Sequence, residues 1–289
     1  MLLPETTKTS HLWIDGSFVP WSESTVHPIT HGLHYGSCVF EGERAYNGHI
    51  FKSMEHTERL FRSAQILGME IPFTPDDIEE AKAALLKDSG LKDAYLRAFV
   101  WRGGEAMGIW DKDCKTHVAV ALWEWPSYFP PELREKGISL KTAKWKKPSP
   151  ETAPVHAKAA GLYMIGTLSK EEAVKAGYTD ALMLDYRGFV AEATGANLFM
   201  VKDGQIFTPT PDCFLNGITR LTVIDLAREA GLTVTEKHIS YDELMGADEI
   251  FITGTAAEVT PIGKIDASSF SVGPVTRQLR DAYERLVGR

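Results

Sequence analysis

Trp125-Pro126-Ser127-Tyr128-Phe129-Pro130-Pro131 places three prolines in seven positions and follows neither a helical nor a strand period. Proline fixes φ and donates no backbone hydrogen bond, so such a run interrupts regular structure and marks a boundary. The pattern of elements restarts after it. We therefore expect a small N-terminal domain over residues 1–125, a linker over 126–134 and a larger domain over 135–289. A chain of 289 residues is long enough for two such units, at about 100–200 residues per domain.

Upstream of the run, Leu12-Trp13-Ile14 and Ser17-Phe18-Val19-Pro20 flank Asp15-Gly16, a pair suited to a two-residue hairpin turn. Cys38 to Tyr46 and Ile50-Phe51 flank Asn47-Gly48 and read as a second hairpin. Leu60, Phe61, Ala64, Leu67 and Gly68 have helical spacing, and a further helix is expected from Pro75 to Lys87. Strands follow at Ala94 to Trp101 and His117 to Trp125. Downstream we expect strands at Ile138–Ala143, Ala181–Leu184, Phe189–Ala191, Asn197–Val201, Gln205–Thr208, Thr233–Glu236 and Glu249–Thr253. Helices are expected at Leu162–Ala176, Ile218–Ala230 and Val275–Leu286. Strands and helices mix without strict alternation, which reads as α+β.

With 39 acidic and 31 basic residues the net charge is −8, the wrong sign for a nucleic acid or an anionic membrane surface. Cys38, Cys114 and Cys213 have long, unequal gaps and suggest neither a disulfide framework nor a metal site, so a reducing cytoplasm is expected. The first residues carry an early acid and no apolar core of leader length, and no stretch approaches the ~20 apolar residues of a membrane span.

No serine-elbow, dinucleotide, Walker or zincin motif is present. His27, His31 and His34 lack a matching carboxylate or cysteine, and we read them as packing and hydrogen-bonding residues rather than metal ligands. Lys158 is more informative. It lies in Val155-His156-Ala157-Lys158-Ala159-Ala160-Gly161-Leu162-Tyr163, among small residues. A lysine in apolar surroundings has a lowered pKa and becomes a nucleophile able to form a Schiff base; a stem lying along a helix start is the alternative. Lys144, Lys146 and Lys147, interleaved with Trp145, read as a solvated basic patch. Glu192 ends one strand just before Asn197 starts the next, and taken alone it fits a surface acid equally well. Asn216-Gly217-Ile218-Thr219 opens a helix whose free N–H groups suit a phosphate, unless Asn216 or Thr219 caps it. Thr253-Gly254-Thr255-Ala256-Ala257-Glu258 follows a strand with small residues, as a close backbone approach or a plain turn requires.

In this order the segments resemble the class IV, fold-type IV pyridoxal-phosphate aminotransferases, and among them the branched-chain amino acid aminotransferases. The resemblance runs from about Trp13 to the C-terminal helix. It rests on His34-Tyr35-Gly36, Val39-Phe40-Glu41-Gly42, Arg44, the Ala-Lys-Ala run at Lys158, Glu192 with Asn197-Leu198-Phe199, Gly217-Ile218-Thr219-Arg220 and Gly254-Thr255-Ala256-Ala257-Glu258. It implies a larger domain with a β-barrel-like core, pyridoxal 5'-phosphate as cofactor, and amino transfer between leucine, isoleucine or valine and 2-oxoglutarate.

By that resemblance Lys158 would bond the cofactor aldehyde and move the proton between the substrate α-carbon and the cofactor C4′ atom. Glu192 would face the ring nitrogen and Tyr163 the phenolic oxygen. Arg59, the Gly217-Ile218-Thr219 backbone and Thr255 would hold the phosphate. On the residues alone, Arg59 would read as a surface partner of Glu55 one turn away. The substrate wall would come from Tyr35, Phe40, Trp125 and Tyr128, the distal cation from Arg97 with Arg44, and the α-carboxylate seat from Tyr95 with Ala256-Ala257. Met107-Gly108-Ile109 and Tyr35 would cross a subunit interface, making a homodimer the smallest active unit.

The chain departs from the family pattern at Ala160, Leu162 and Ala196, and at Glu43, which could pair with Arg44 or add charge near the pocket mouth. The runner-up is a D-amino-acid or (R)-amine aminotransferase on the same fold. Aminodeoxychorismate lyase, a non-catalytic cofactor-binding relative and a metal-dependent hydrolase are more distant.

Overall fold

The computed structural model describes residues 10–110, 112–125 and 128–289. Residues 1–9, where a leader would lie, and Pro126-Ser127 of the proline-rich run fall outside them. The chain forms two compact units, Met1–Pro126 with Ala157–Gly161, and Ser127–His156 with Leu162–Arg289.

The first unit contains β1 (His11–Ile14), β2 (Ser17–Pro20), α1 (His31–His34), β3 (Cys38–Phe40), β4 (Glu43–Tyr46), β5 (His49–Ile50), α2 (Ser53–Ile66), α3 (Pro75–Ser89), β6 (Ala94–Arg102) and β7 (Thr116–Trp123). Its strands form one antiparallel sheet in the order β2-β1-β7-β6-β4-β5, with β3 also paired to β6. The β1–β2 turn has Asp15 at φ 47° and Gly16 at φ 89°, the two positive values that a twist-matched two-residue hairpin needs. Alternation along β6 buries Leu96, Ala98 and Val100 completely, while α2 and α3 pack on the sheet. Tyr95, Arg97, Phe99 and Trp101 therefore belong to the opposite face. Thr74 caps α3 through a reciprocal box with Asp77.

The strand expected over Cys38–Tyr46 is broken into β3 and β4 at Glu41-Gly42. Two contacts cause the break. The Glu41 carboxylate is drawn to α2, and the Tyr95 hydroxyl occupies the space that a Cβ on residue 42 would need.

The second unit contains α4 (Pro131–Lys136), β8 (Ile138–Thr142), α5 (Met164–Lys175), β9 (Asp180–Leu184), β10 (Val190–Ala193), β11 (Asn197–Lys202), β12 (Gln205–Pro209), α6 (Ile218–Glu229), β13 (Val234–Lys237), α7 (Tyr241–Met245), β14 (Glu249–Gly254), β15 (Glu258–Ile265), β16 (Ser268–Ser269) and α8 (Pro274–Leu286). Strands β10-β9-β8-β15-β14-β11 run in sequence, and β10 pairs back to β11, closing a six-stranded barrel. Leu140, Leu182, Val190, Leu198, Ile252 and Ile262 fill its core. A barrel this narrow has room for side chains and little else. The mixed α+β architecture and the barrel core agree with expectation. Among the described residues, β15, β16 and the short helices α1, α4 and α7 lie outside the expected elements.

Candidate active site

Ala157–Gly161 lies inside the range expected for the larger domain yet groups with the first unit. Backbone bonds explain this: Phe40 N–H donates to the Lys158 carbonyl at 3.1 Å, Lys158 N–H donates to Ser63 Oγ at 3.0 Å, and Val39 bridges to Ala159. The lysine is thus clamped to β3 and α2. Its Nζ sits 5.0 Å from the centre of the Phe40 ring. Burial, reinforced by the Arg59 cation, lowers the amine from its ordinary 10.5 to about 8.

Arg97 lies over the same ring, its guanidinium carbon 4.6 Å from the Phe40 centroid, and donates to the Tyr95 hydroxyl at 2.9 Å. Phe40, Tyr95, Arg97 and Lys158 therefore come together as predicted neighbours within one unit. Trp125 joins them through its ring, 4.7 Å from that of Tyr95, and its carbonyl accepts from Arg44 at 3.5 Å.

Arg59 does not follow the local expectation of a Glu55 partner. It is buried, and donates through Nε and Nη2 to the two oxygens of Glu41 at 2.7 and 2.8 Å. His56 Nδ1 shares that carboxylate at 2.6 Å. Although burial alone would raise the Glu41 carboxyl, Arg59 and His56 hold it far below the ordinary carboxylate range. Glu41 was quoted in the motif but given no role. Its partners His56 and Arg59 stand about one turn apart on a single helix.

Glu43 does not pair with Arg44. Strand alternation sends the two to opposite faces, and the buried Glu43 meets the fully buried Lys82 at 2.8 Å. Thr57 and Glu79 also accept from this ammonium, at 2.6 and 3.0 Å. The departure at Glu43 is thus compensated in the helix-side core.

Tyr35 is half exposed and makes tilted ring contacts with His31 and His34. It is not in the Lys158 group. His31 Nε2 lies 3.0 and 3.2 Å from the carbonyls of Gly108 and Ile109, so it pins the loop that presents the exposed Met107, Ile109 and Trp110. A cavity of about 610 Å3 in this unit, lined by Leu12, Val26, Phe99, Trp101 and His117 among others, contains none of the predicted site residues.

In the second unit the predicted cofactor residues gather at one end of the barrel. Glu192 on β10 is paired in register with Asn197 on β11, and Asn197 with Thr253 on β14, so the loop holding Thr255, Ala256 and Ala257 starts beside them. Asn197 Nδ2 donates to Glu192 Oε2 at 3.0 Å, and its Oδ1 accepts from Gly217 N–H at 3.1 Å. That contact requires glycine, because a Cβ on residue 217 would overlap Asn197 Oδ1. Helix α6 starts with no side-chain cap: Asn216 accepts from Arg220 instead, so no side chain caps the Ile218-Thr219 end.

Lys147 corrects the reading of a solvated basic patch. Lys144 and Lys146 are exposed, but Lys147 turns inward and its Nζ meets Glu192 Oε1 at 2.6 Å. Burial would lower this amine, but Glu192 and Tyr163 raise it. Glu192 is accordingly an interior acid rather than a surface one. The Tyr128 hydroxyl accepts from Lys170 Nζ at 2.8 Å. Asp185, Asp212 and Cys213 approach one another as metal ligands would, but Arg187 already donates to both carboxylates.

A sequence profile described as Amino-transferase class IV matches residues 38–265. The branched-chain-amino-acid aminotransferase of Pseudomonas aeruginosa is 44% identical over 283 residues, covering 96% of this chain and 92% of that protein. The enzyme of the same name from Escherichia coli strain K12 is 37% identical over 287 residues, covering 96% and 93%. The crystal structure of the T.th. branched-chain amino acid aminotransferase with pyridoxamine 5'-phosphate is 41% identical, covers 97% of this chain and 95% of that one, and superposes with a TM-score of 0.94. The same protein complexed with N-(5'-phosphopyridoxyl)-L-glutamate gives 0.92 at 40% identity, with the same coverage. The chain belongs to the class IV aminotransferases.

Proposed function

We propose that this protein transfers the amino group of leucine, isoleucine or valine to 2-oxoglutarate with pyridoxal 5'-phosphate as cofactor. The observation that carries the reading is the Lys158 amine, held at about 8 against the Phe40 ring. The relatives named above support the substrate class.

The residues fit the cofactor. In the first unit Lys158 offers a poised amine for an aldehyde and Arg59 a cation for a phosphate; in the second the uncapped Ile218-Thr219 backbone and Thr255 suit a phosphate, and Glu192 suits a ring nitrogen. Arg59 arrives with its charge already balanced by Glu41, so a phosphate would meet a rigid guanidinium rather than a loose one. When bound, the cofactor supplies an electrophilic carbon and a ring that accepts electron density. Lys158 Nζ would hold and move the proton lost from the substrate α-carbon. An amine titrating near 8 exists in both forms at neutral pH, as that double task requires. Tyr163 would orient the phenolic oxygen.

Dual substrate recognition follows from Arg97. Its guanidinium lies on the faces of Phe40 and Tyr95, so one wall offers apolar surface to a branched side chain and a cation to the distal carboxylate of glutamate. Tyr95 and the Ala256-Ala257 backbone would seat the α-carboxylate, Arg44 would add to the distal cation, and Tyr128 with Tyr35 from across the subunit interface would complete the wall.

The exposed Met107, Ile109 and Trp110, at 68%, 84% and 72%, support a homodimer in which this loop is covered. Three free thiols fit a reducing cytoplasm. Among the described residues no helix is long and apolar enough to cross a membrane.

Mixing the holoenzyme separately with L-leucine, L-glutamate, D-alanine and (R)-phenylethylamine tests the reading by visible absorption. Conversion by the first two is expected. A response only to D-alanine or the amine would transfer the assignment to the runner-up.

A further inference from the structure

We infer that Lys147 is a positioning residue for Glu192, holding one carboxylate oxygen so that the acid presents a fixed edge to the cofactor ring. The inference rests on the assignment of Glu192 above. Four observations carry it.

The ion pair is short and enclosed: Nζ to Oε1 is 2.6 Å, with the two side chains only 14% and 9% exposed. An enclosed carboxylate needs such a partner, because an isolated buried charge is strongly disfavoured. The lysine backbone is fixed as well. Lys147 N–H donates to the Leu184 carbonyl at 2.8 Å, and Lys147 bridges in parallel to Asp185, so the ammonium is delivered from an anchored strand edge rather than a loose loop.

The second oxygen is engaged independently. Asn197 Nδ2 donates to Oε2 at 3.0 Å, and Asn197 is itself held by the Leu215 carbonyl and the Gly217 N–H. With one donor on each oxygen the carboxylate cannot rotate without breaking a charge-assisted bond. Glu192 is thereby coupled to the Gly217 helix start through Asn197 and to the lysine edge through Lys147.

Lys147 also feels Tyr163 electrostatically. In a 3-hydroxypyridine ring the nitrogen and the carbon that bears the phenolic oxygen flank a single carbon, so one cation behind that edge can influence the residues that address both. Lys147 is the cation associated with the two residues assigned to those atoms, Glu192 and Tyr163. Groups behind a reacting shell that fix its orientation typically change performance by about 10- to 100-fold when removed.

The test compares Lys147→Met, Lys147→Arg, Glu192→Gln and the Lys147→Met/Glu192→Gln pair in the purified holoenzyme. For Lys147→Met we expect kcat for L-leucine to fall about tenfold with KM little changed. Titration of the cofactor-free protein with pyridoxal 5'-phosphate should show weaker binding, and the absorption band of the bound cofactor should shift. Lys147→Arg, which keeps the cation, should recover most of each loss. The double variant should be little worse than Glu192→Gln alone, since Lys147 acts chiefly through that acid. A normal kcat, affinity and spectrum in Lys147→Met beside a slow Glu192→Gln would overturn the inference alone. So would losses in the double variant that multiply. Full activity in Glu192→Gln would remove the assignment of that acid and the inference with it.

Discussion

Replacing Lys158 by methionine should stabilise the cofactor-free protein at neutral pH, and the gain should shrink as pH rises. The amine titrates at about 8 when folded against an ordinary 10.5 when unfolded. The sign is the reverse of the usual lysine with a carboxylate partner. Below pH 8 both states carry the proton, and the folded state bears the full cost of an enclosed cation. Between 8 and 10.5 the unfolded chain binds more protons, so wild-type stability rises with pH relative to the variant. The cost is about 3 kcal/mol at pH 7, about 2 at pH 9 and about 1 at pH 10, taking 1.36 kcal/mol per pH unit of displacement. The side chain keeps some solvent contact, and screening brings the pH 7 figure to about 1–3 kcal/mol. Urea unfolding of both proteins at pH 7, 9 and 10 measures it. Methionine also changes apolar burial, but that offset is constant with pH and cancels in the comparison. A gap between variant and wild type that stays constant from pH 7 to 10 would refute the depressed lysine.

Other perturbations reach other parts of the site. Glu41→Gln leaves Arg59 enclosed without its counter-charge and should cost about 3–5 kcal/mol in thermal or urea unfolding. Because the Glu41 carboxyl is held below its ordinary value, the stability it contributes is present above the usual carboxylate range and is lost on acidification, so the variant should show a flatter acid limb in pH-dependent melting. Gly217→Ala would push a methyl onto Asn197 Oδ1, and we expect a loss of about 1–3 kcal/mol in stability together with weaker pyridoxal 5'-phosphate binding by absorbance titration. Ile109→Asp places a charge on the exposed apolar loop, and sedimentation should show a shift from dimer to monomer.

Local signals were the legible ones. Asp15-Gly16, Asn47-Gly48 and Asp203-Gly204 all adopt the paired positive φ values that their composition demands, and the strands on either side follow. Strand β15 escaped because Pro261 and Gly263 interrupt it, although it pairs with both β14 and β8 and completes the barrel. Closure through β10 and β11 has no periodic signature at all; it depends on the register of Glu192 with Asn197. Lys158 could be singled out because its small neighbours announce its surroundings. Arg59 and Lys147 could not be placed by sequence spacing, since their partners Glu41 and Glu192 lie on other elements, and nearby Glu55 or exposed lysines suggest the opposite burial. Only the family resemblance names Phe40, Tyr95 and Arg97 together; the pairing of β3 with β6 is what brings them to one side of the sheet.

Borohydride reduction of the protein carrying its cofactor, followed by peptide mass mapping, addresses the role of Lys158 without reliance on turnover. One peptide, containing Lys158, should retain the pyridoxyl group. Retention on another lysine, Lys147 included, or no retention at all, would contradict the assignment of Lys158 as the residue that bonds the cofactor.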